Sequence, residues 1–426
     1  MRWAGSTPPR RLWSFGSILA LLAVLFGVLT YVQVVQRANA ASSVVEHSQP
    51  LSDDAAQIFR TLADADTTAA TGFLQAGSET PAVRNEYDND IRTASTLLAQ
   101  AAASAGKSDP GQQQIQQLSA QLPTYTDYVA RAGVNDRLGY PLGGAWLQFA
   151  SAQMQGPMLT EANTLYTAET DRLHQDYANA RSLPWAALGL GLVALIALVR
   201  MQVVMFRRTN RVVNIGLVAA SAGVVLALGW LITAQSLAAS ALSASNSRGS
   251  APLQVLNEAQ IEALQCRGAE NLNLVARGST TDYSTAWEKD SNELAGGNGY
   301  LVTARSMTTA DATAQRAVRA AQADFTLWDQ RHDAASDANN GGDYATALAD
   351  TIGTPGGSST QTTNAAFMQL DNSLNSAIAH ERDNFNQLAS QGRSDTTGLA
   401  AGALALSVLA ALAALWGINR RAAEYR

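Results

Sequence analysis

The residues able to do chemistry are few and dispersed. Asp53-Asp54, Asp64-x-Asp66 and Glu86-Tyr87-Asp88-Asn89-Asp90 bring carboxylates close together in sequence. Paired carboxylates do acid–base work only when they face one another. Successive or alternate residues of a helix point to different faces, so these pairs read as solvated charges. The third group lacks the glycine and terminal glutamate of a calcium loop. His47, His174, His332 and His380 show no metal-ligand spacing. The single cysteine, Cys266, excludes an intrachain disulfide framework and a cysteine-built zinc site. No phosphate-cradling glycine loop, dinucleotide fingerprint, nucleophile elbow or zincin helix occurs. The expectation is a protein that is not an enzyme and uses no metal or cofactor.

Arginine offers the better ligand chemistry, because a planar guanidinium grips a carboxylate with two parallel hydrogen bonds. Arg60, Arg84, Arg92, Arg131 and Arg137 fall in one large polar segment, and Arg277, Arg316, Arg319 and Arg331 in another. Most face acidic neighbours and read as surface ion pairs. Arg131 and Arg331 are the preferred ligand or partner candidates, since they hold equivalent places in a repeat described below.

The elements that must position these residues begin with four apolar runs, 13–35, 183–206, 212–235 and 398–418. Each is long enough to cross a bilayer core, and Arg200 is the only charge within them. Of the 426 residues only 15% are charged, against 47% hydrophobic, and the apolar runs absorb the deficit. A net charge of −6 with no basic face argues against nucleic-acid binding. Arg2, Arg10 and Arg11 precede the first run. Arg207, Arg208 and Arg211 fill the short hinge 207–211. Arg420, Arg421 and Arg426 follow the last run. The segments 36–182 and 236–397 are acidic. The positive-inside rule therefore predicts a multi-pass protein of the cytoplasmic membrane. The N-terminal segment 1–12, the hinge and the tail 419–426 would be cytoplasmic, and both large segments extracytoplasmic. The first run reads as an uncleaved anchor. The basic hinge could dock an acidic cytosolic partner or simply fix topology against anionic lipid. Small residues at Gly189-Leu190-Gly191, Ala219–Gly223 and Ala400–Ala403 suit close helix contacts. The lack of mid-membrane charge argues against transport.

The halves repeat the order of span, outside segment, span. Ala56-Gln57-Ile58 matches Ala259-Gln260-Ile261, and Gly77 matches Gly278. Tyr125, Tyr128 and Arg131 match Phe325, Trp328 and Arg331. Gly143-Gly144-Ala145-Trp146 matches Gly341-Gly342-Asp343-Tyr344. Apolar stripes at helical spacing fill both outside segments, and turn residues break them at 77–81, 108–111 and 139–141. The predicted fold is all-α, with four transmembrane helices, two extracytoplasmic helical bundles and an internal duplication. The first and last helices of the bundle at 36–182 should continue into the spans. The region 335–356 reads as a mobile insertion or docking surface, and 353–363 as a flexible loop.

Asp64-Ala65-Asp66-Thr67-Thr68-Ala69-Ala70-Thr71-Gly72-Phe73-Leu74, Tyr125-x-x-Tyr128-Val129 and the stretch 138–151 resemble chemoreceptor-type four-helix-bundle sensor domains. Chemoreceptors carry a signalling coiled coil after their second span, whereas here the hinge leads straight into the third. The whole layout is similar to the actinobacterial GlnX family of transmembrane signalling proteins. That resemblance implies an extracytoplasmic amino-acid-binding lipoprotein, GlnH-like, sensing glutamate, aspartate or glutamine. It also implies a cytosolic Ser/Thr kinase partner, PknG-like, reached directly or indirectly. The function expected is a transmembrane sensor and signal relay. The alternative is an envelope scaffold or assembly protein without ligand sensing.

Overall fold

The computed structural model describes residues 8–75, 79–104, 111–209, 214–277, 279–354, 360–394 and 399–423, which are helical apart from short turns and connections, and no strand occurs among these residues. Helices α1 (Pro8–Ser43), α2 (Gln49–Leu74), α3 (Pro81–Ser104), α4 (Gln112–Arg137), α5 (Leu142–Gln153), α6 (Leu159–Arg181) and α7 (Trp185–Thr209) build the first half. Helices α8 (Ile215–Ser245), α9 (Ala251–Ala276), α10 (Asp282–Ala295), α11 (Tyr300–Met307), α12 (Ala312–Asn340), α13 (Tyr344–Ile352), α14 (Thr363–Ser394) and α15 (Leu399–Ala423) build the second. Five-residue π-helical turns join α1 to α2 (Val44–Ser48), α5 to α6 (Met154–Met158) and α8 to α9 (Asn246–Ser250).

Local sequence sets the boundaries. Pro81 opens α3, where its missing N–H costs nothing. Gly139 and Gly342, at φ 72° and 84°, turn the chain after α4 and α12 in a conformation that favours glycine. Asp311 caps α12 by accepting from the Thr313 and Ala314 N–H groups, and Asp343 caps α13 through the Thr346 N–H. Pro184 separates α6 from α7, as expected when the residue before a proline is pushed out of the helical region. The expected unbroken run from the last helix of 36–182 into the second span is therefore interrupted. The breaks at Gly77 and Ser78 and at 108–110, and the partner glycine Gly278, lie outside the described residues.

The chain divides into two compact units, 1–44 with 175–244 and 388–426, and 45–174 with 245–387. The first unit holds the apolar helices. Ser14–Leu74, Leu142–Arg207 and Ile215–Ala276 are three helical stretches long and apolar enough to cross a membrane, which supports a multi-pass membrane protein. Leu404–Asn419 is a shorter apolar helix. Small residues let these helices approach. A Cβ added at Gly27 would lie 2.5 Å from the Ser407 Cβ, and one at Gly191 would lie 2.7 Å from both Phe26 and Leu228. Gly223 faces Ala410, and Gly216 lies directly on the Gly417 backbone. Gly189, expected at such a contact, has nothing within 4 Å of its added Cβ. Polar side chains reinforce the packing. Gln202 Nε2 donates to the Leu217 carbonyl and to Ser221 Oγ, both at 2.9 Å, and Asn214 Nδ2 donates to the Gly417 carbonyl at 3.1 Å. Arg37 donates to the Ser182 and Leu183 carbonyls left open by the Pro184 break.

The second unit corrects the expectation of two separate bundles. Residues 45–174 and 245–387 share one hydrophobic core, in which Ile58, Leu62 and Leu118 join Leu256, Leu264, Trp328 and Leu370. An apolar stripe shows that a helix face must be buried, and here α2 and α9 bury theirs against each other. Both helices have 26 residues, and each follows a five-residue π-turn. Residues 335–354 are likewise no loose insertion, while 355–356, at the end of that region, lie outside the described residues. Helix α13 buries Thr351 and packs Ala347 into a second core with Leu74, Leu147 and Val275.

Close approach at Gly216 makes one prediction. Gly216→Leu should overpack the contact with Gly417 and destabilise the full chain in nanodiscs by about 1–3 kcal/mol. Gly189→Leu should leave the thermal unfolding midpoint nearly unchanged.

Candidate functional site

The strongest concentration of buried polar chemistry lies along α2 and α9. Arg60 reaches across from α2 and donates to Asn257 Oδ1 at 2.7 Å and Gln260 Oε1 at 2.9 Å. Gln260 passes the network on, donating to Asp371 Oδ1 at 2.5 Å and Asn375 Oδ1 at 3.0 Å on α14. Asn271 Nδ2 donates to the Thr67 carbonyl and Thr71 Oγ1, and Ser250 Oγ donates to Gln49 Oε1 at 2.7 Å. Burial lowers the Arg60 guanidinium to about 10, against the opposing pull of Asp53 and Asp371.

Two further carboxylates, Asp66 and Glu270, are buried on the same two helices. Asp66 on α2 is 1% exposed, contrary to its expected place in solvent, because it points toward α4 and α5. Tyr125 Oη and Ser151 Oγ donate to its Oδ1 at 3.3 and 3.0 Å, and Gln155 Nε2 donates to its Oδ2 at 3.0 Å. All three donors are neutral. Burial raises its pKa to about 6, and the three hydrogen bonds hold it from rising further.

Glu270 on α9 is also buried, but it is ion-paired. Arg267 donates to Oε2, His332 Nδ1 lies 3.0 Å from Oε1, and Trp328 Nε1 donates to Oε2 at 3.3 Å. Burial pushes this carboxyl upward. Arg267 and the hydrogen-bonded His332 outweigh it and hold the group below the usual glutamate range. The His332 ring stacks on Trp287 with centroids 3.5 Å apart, and Trp287 meets Trp328 edge-on at 4.9 Å. Arg267 also donates to Thr363 Oγ1 and Asn364 Oδ1.

Tyr125 and Trp328 thus play the same part in the two halves, each an aromatic donor from the fourth long helix to a buried carboxylate. The sequence match had paired Tyr125 with Phe325, one helical turn away. His332 within an apolar stripe was the available signal for this site, since a buried imidazole needs a partner.

The arginine candidates have local partners. Arg131 Nε donates to Asp127 Oδ2 at 2.8 Å, with its guanidinium 5.0 Å from the Trp146 ring centroid. Arg331 Nη1 donates to the Thr360 and Thr362 carbonyls, tying α12 to the chain before α14. The two share no partner and form no common site. Arg277, at φ 48°, stacks 4.6 Å from the Tyr344 ring. Arg207 is exposed at the end of α7, Arg208 belongs to the same helix, and Arg211 lies outside the described residues. Among the described residues no group of His, Cys, Asp and Glu is placed to hold a metal ion.

Residues 24–178 match the family model of the actinobacterial sensor domain. The match supports an actinobacterial sensor protein with a role in sensing or signalling. It spans more than half of α1 and all of 45–174, including Asp66 and its three donors. No curated protein and no solved structure matches the chain.

Arg267→Ala would leave Glu270 buried without its cation. The expected cost is about 3–5 kcal/mol in thermal or denaturant unfolding of the full chain, whereas Arg131→Ala at the exposed pair should cost under about 1 kcal/mol.

Proposed function

We propose that the chain is a non-enzymatic transmembrane sensor and signal relay. The observation that carries this reading is the sensor-domain match over 24–178. The proposal includes four spans, α15 being the fourth, with the termini and the 207–211 hinge cytoplasmic and the polar unit outside. It also includes an origin by duplication. The equal 26-residue lengths of α2 and α9 support that origin, as do the paired π-turns and the 25 residues of both α7 and α15.

In this reading the stimulus alters the packing of α2 and α9 with their partners, and the helices α1 and α8 carry the change toward the membrane. A stimulus can shift such an equilibrium only by its differential affinity for the two packings. Its proposed source is an amino-acid-binding lipoprotein, GlnH-like, loaded with glutamate, aspartate or glutamine. The proposed receiver is a cytosolic Ser/Thr kinase, PknG-like, acting at the basic hinge directly or through another protein.

The full chain in nanodiscs is the object to test, because the two outside segments share one core. Calorimetric titration with the loaded lipoprotein, and separately with free glutamate, aspartate and glutamine, should give binding for the loaded lipoprotein alone. Binding of a free amino acid would favour direct sensing. Binding of none would overturn the sensing reading in favour of an envelope scaffold.

A further inference from the structure

Two seams in the polar unit hold carboxylate oxygens that nothing satisfies. Asp90, on the face of α3 turned to α2, is 8% exposed, and its Oδ2 has no hydrogen-bond partner. Glu262, on α9 beside α10, is 7% exposed, and its Oε2 has none either. A lone buried carboxylate is costly when ionised and should have a cation beside it.

The neighbours of Asp90 are of the wrong sign. Glu86 on its own helix and Asp64 on α2 repel it, and Asp371 on α14 adds to the repulsion at Asp64 and Glu86. From α4 the phenol of Tyr125 faces the same region, and the neighbouring Tyr87 Oη is itself buried without a partner. The arginines of α3 are turned elsewhere, Arg84 to Glu79 and Arg92 to Asn89. Arg60 on α2 is committed to Asn257 and Gln260 and acts on Asp371.

Glu262 meets the same condition in the second half. Glu258 on its own helix and Asp290 and Glu293 on α10 repel it, and the Tyr300 phenol faces them from α11. Lys289, itself exposed, lies 3.0 Å from Asp290 and 3.4 Å from Glu293, and its pull on Glu262 is outweighed by burial and by those two carboxylates. A metal ion does not fit either seam, since no set of such ligands among the described residues is placed to hold one. The simplest group that removes a lone buried carboxylate charge is a proton.

We propose that the α2–α3 and α9–α10 seams are proton-controlled clasps, each closed when its own carboxyl, Asp90 or Glu262, is neutral and loosened when that carboxyl is ionised. The inference goes beyond the relay reading and does not depend on it. It gives the unit a response to extracytoplasmic or local pH whatever else binds there.

The direction follows from linkage. Burial first, then Glu86, raises Asp90 to about 7. Burial first, then Asp290 and Glu293, raises Glu262 to about 8. The folded unit therefore holds protons that the unfolded chain releases near pH 4. Their contribution to stability is complete below that point and is lost as pH rises through about 7 to 8, the reverse of an ion-paired carboxylate.

The test is hydrogen exchange of the full chain in nanodiscs between about pH 5.5 and 8.5, corrected for the intrinsic rate, on α3, α10 and the control helices α12 and α13. Protection of α3 and α10 should fall by about tenfold or more per pH-sensitive seam, while the controls stay level. Asp90→Asn, which imitates the neutral group, should abolish the response of α3 and spare that of α10. Glu262→Gln should do the opposite, so each variant carries its own folded control. Equal pH responses in all helices, unchanged responses in the variants, or loss of protection throughout a variant would each overturn the proposal.

Discussion

Helix α9 has no solvent side. None of its residues from Ala251 to Ala276 is exposed, yet the helix carries Asn257, Gln260, Glu262, Arg267, Glu270 and Asn271. Burying these groups without partners would cost more than the surrounding apolar contacts return. The rest of the polar unit is arranged around that requirement. Arg60 comes from α2 to meet Asn257 and Gln260, α12 supplies Trp328 and His332 to Glu270, and α14 supplies Asp371, Asn375 and Asn364. A lone bundle made from 236–397 would leave Asn257 without its Arg60 donor and Asn271 without Thr67 and Thr71. The shared core is thus a consequence of polar satisfaction as much as of apolar area.

The two halves meet the same need with different chemistry. Glu270 has an arginine, an imidazole and an indole, so its charge is stable in the interior and its surroundings are fixed by directional bonds. Asp66 has two hydroxyls and an amide, which satisfy its oxygens without neutralising it. Hydroxyls can donate or accept by rotating, so this carboxylate can change protonation without moving a helix. Around these two carboxylates the first half is therefore electrostatically softer than the second. It is also the half that the sensor-domain family model covers. An ion-paired core in one half gives the softer half something rigid to move against.

The sequence read the elements well and their partners poorly. Pro81, Gly139 and Pro184 mark boundaries through backbone sterics, which are local. The apolar runs at 13–35, 183–206 and 212–235 announce themselves by length and composition alone, and the structure places three long apolar helices over them. Periodicity could not say what faced each stripe, because a helical stripe carries the same pattern whether it meets its own bundle or another. The Arg267–Glu270 spacing of three is what a surface ion pair shows, and only three-dimensional burial separates the two cases. Asp66 was unreadable for the same reason. Its neighbour Asp64 is half-buried, and nothing in Asp-Ala-Asp reveals which of the two faces the core.

The π-turns place a limit on how the unit can respond. A π-turn contains one residue more than the α-helical path requires, and each residue is worth about 100° of helix rotation. Val44–Ser48 and Asn246–Ser250 occupy equivalent places before α2 and α9, at the two points where the chain enters the polar unit. The second is pinned, since Gly249 has its added Cβ only 2.8 Å from the Phe385 Cα and no larger residue would fit without a shift. Sliding α9 along its axis would break Gln260, Glu270 and Asn271 from their partners at once. Loosening an outer helix such as α3 breaks far fewer directional bonds. Motion in this unit is therefore cheapest at its outer seams, and the central pair serves as the reference against which they open.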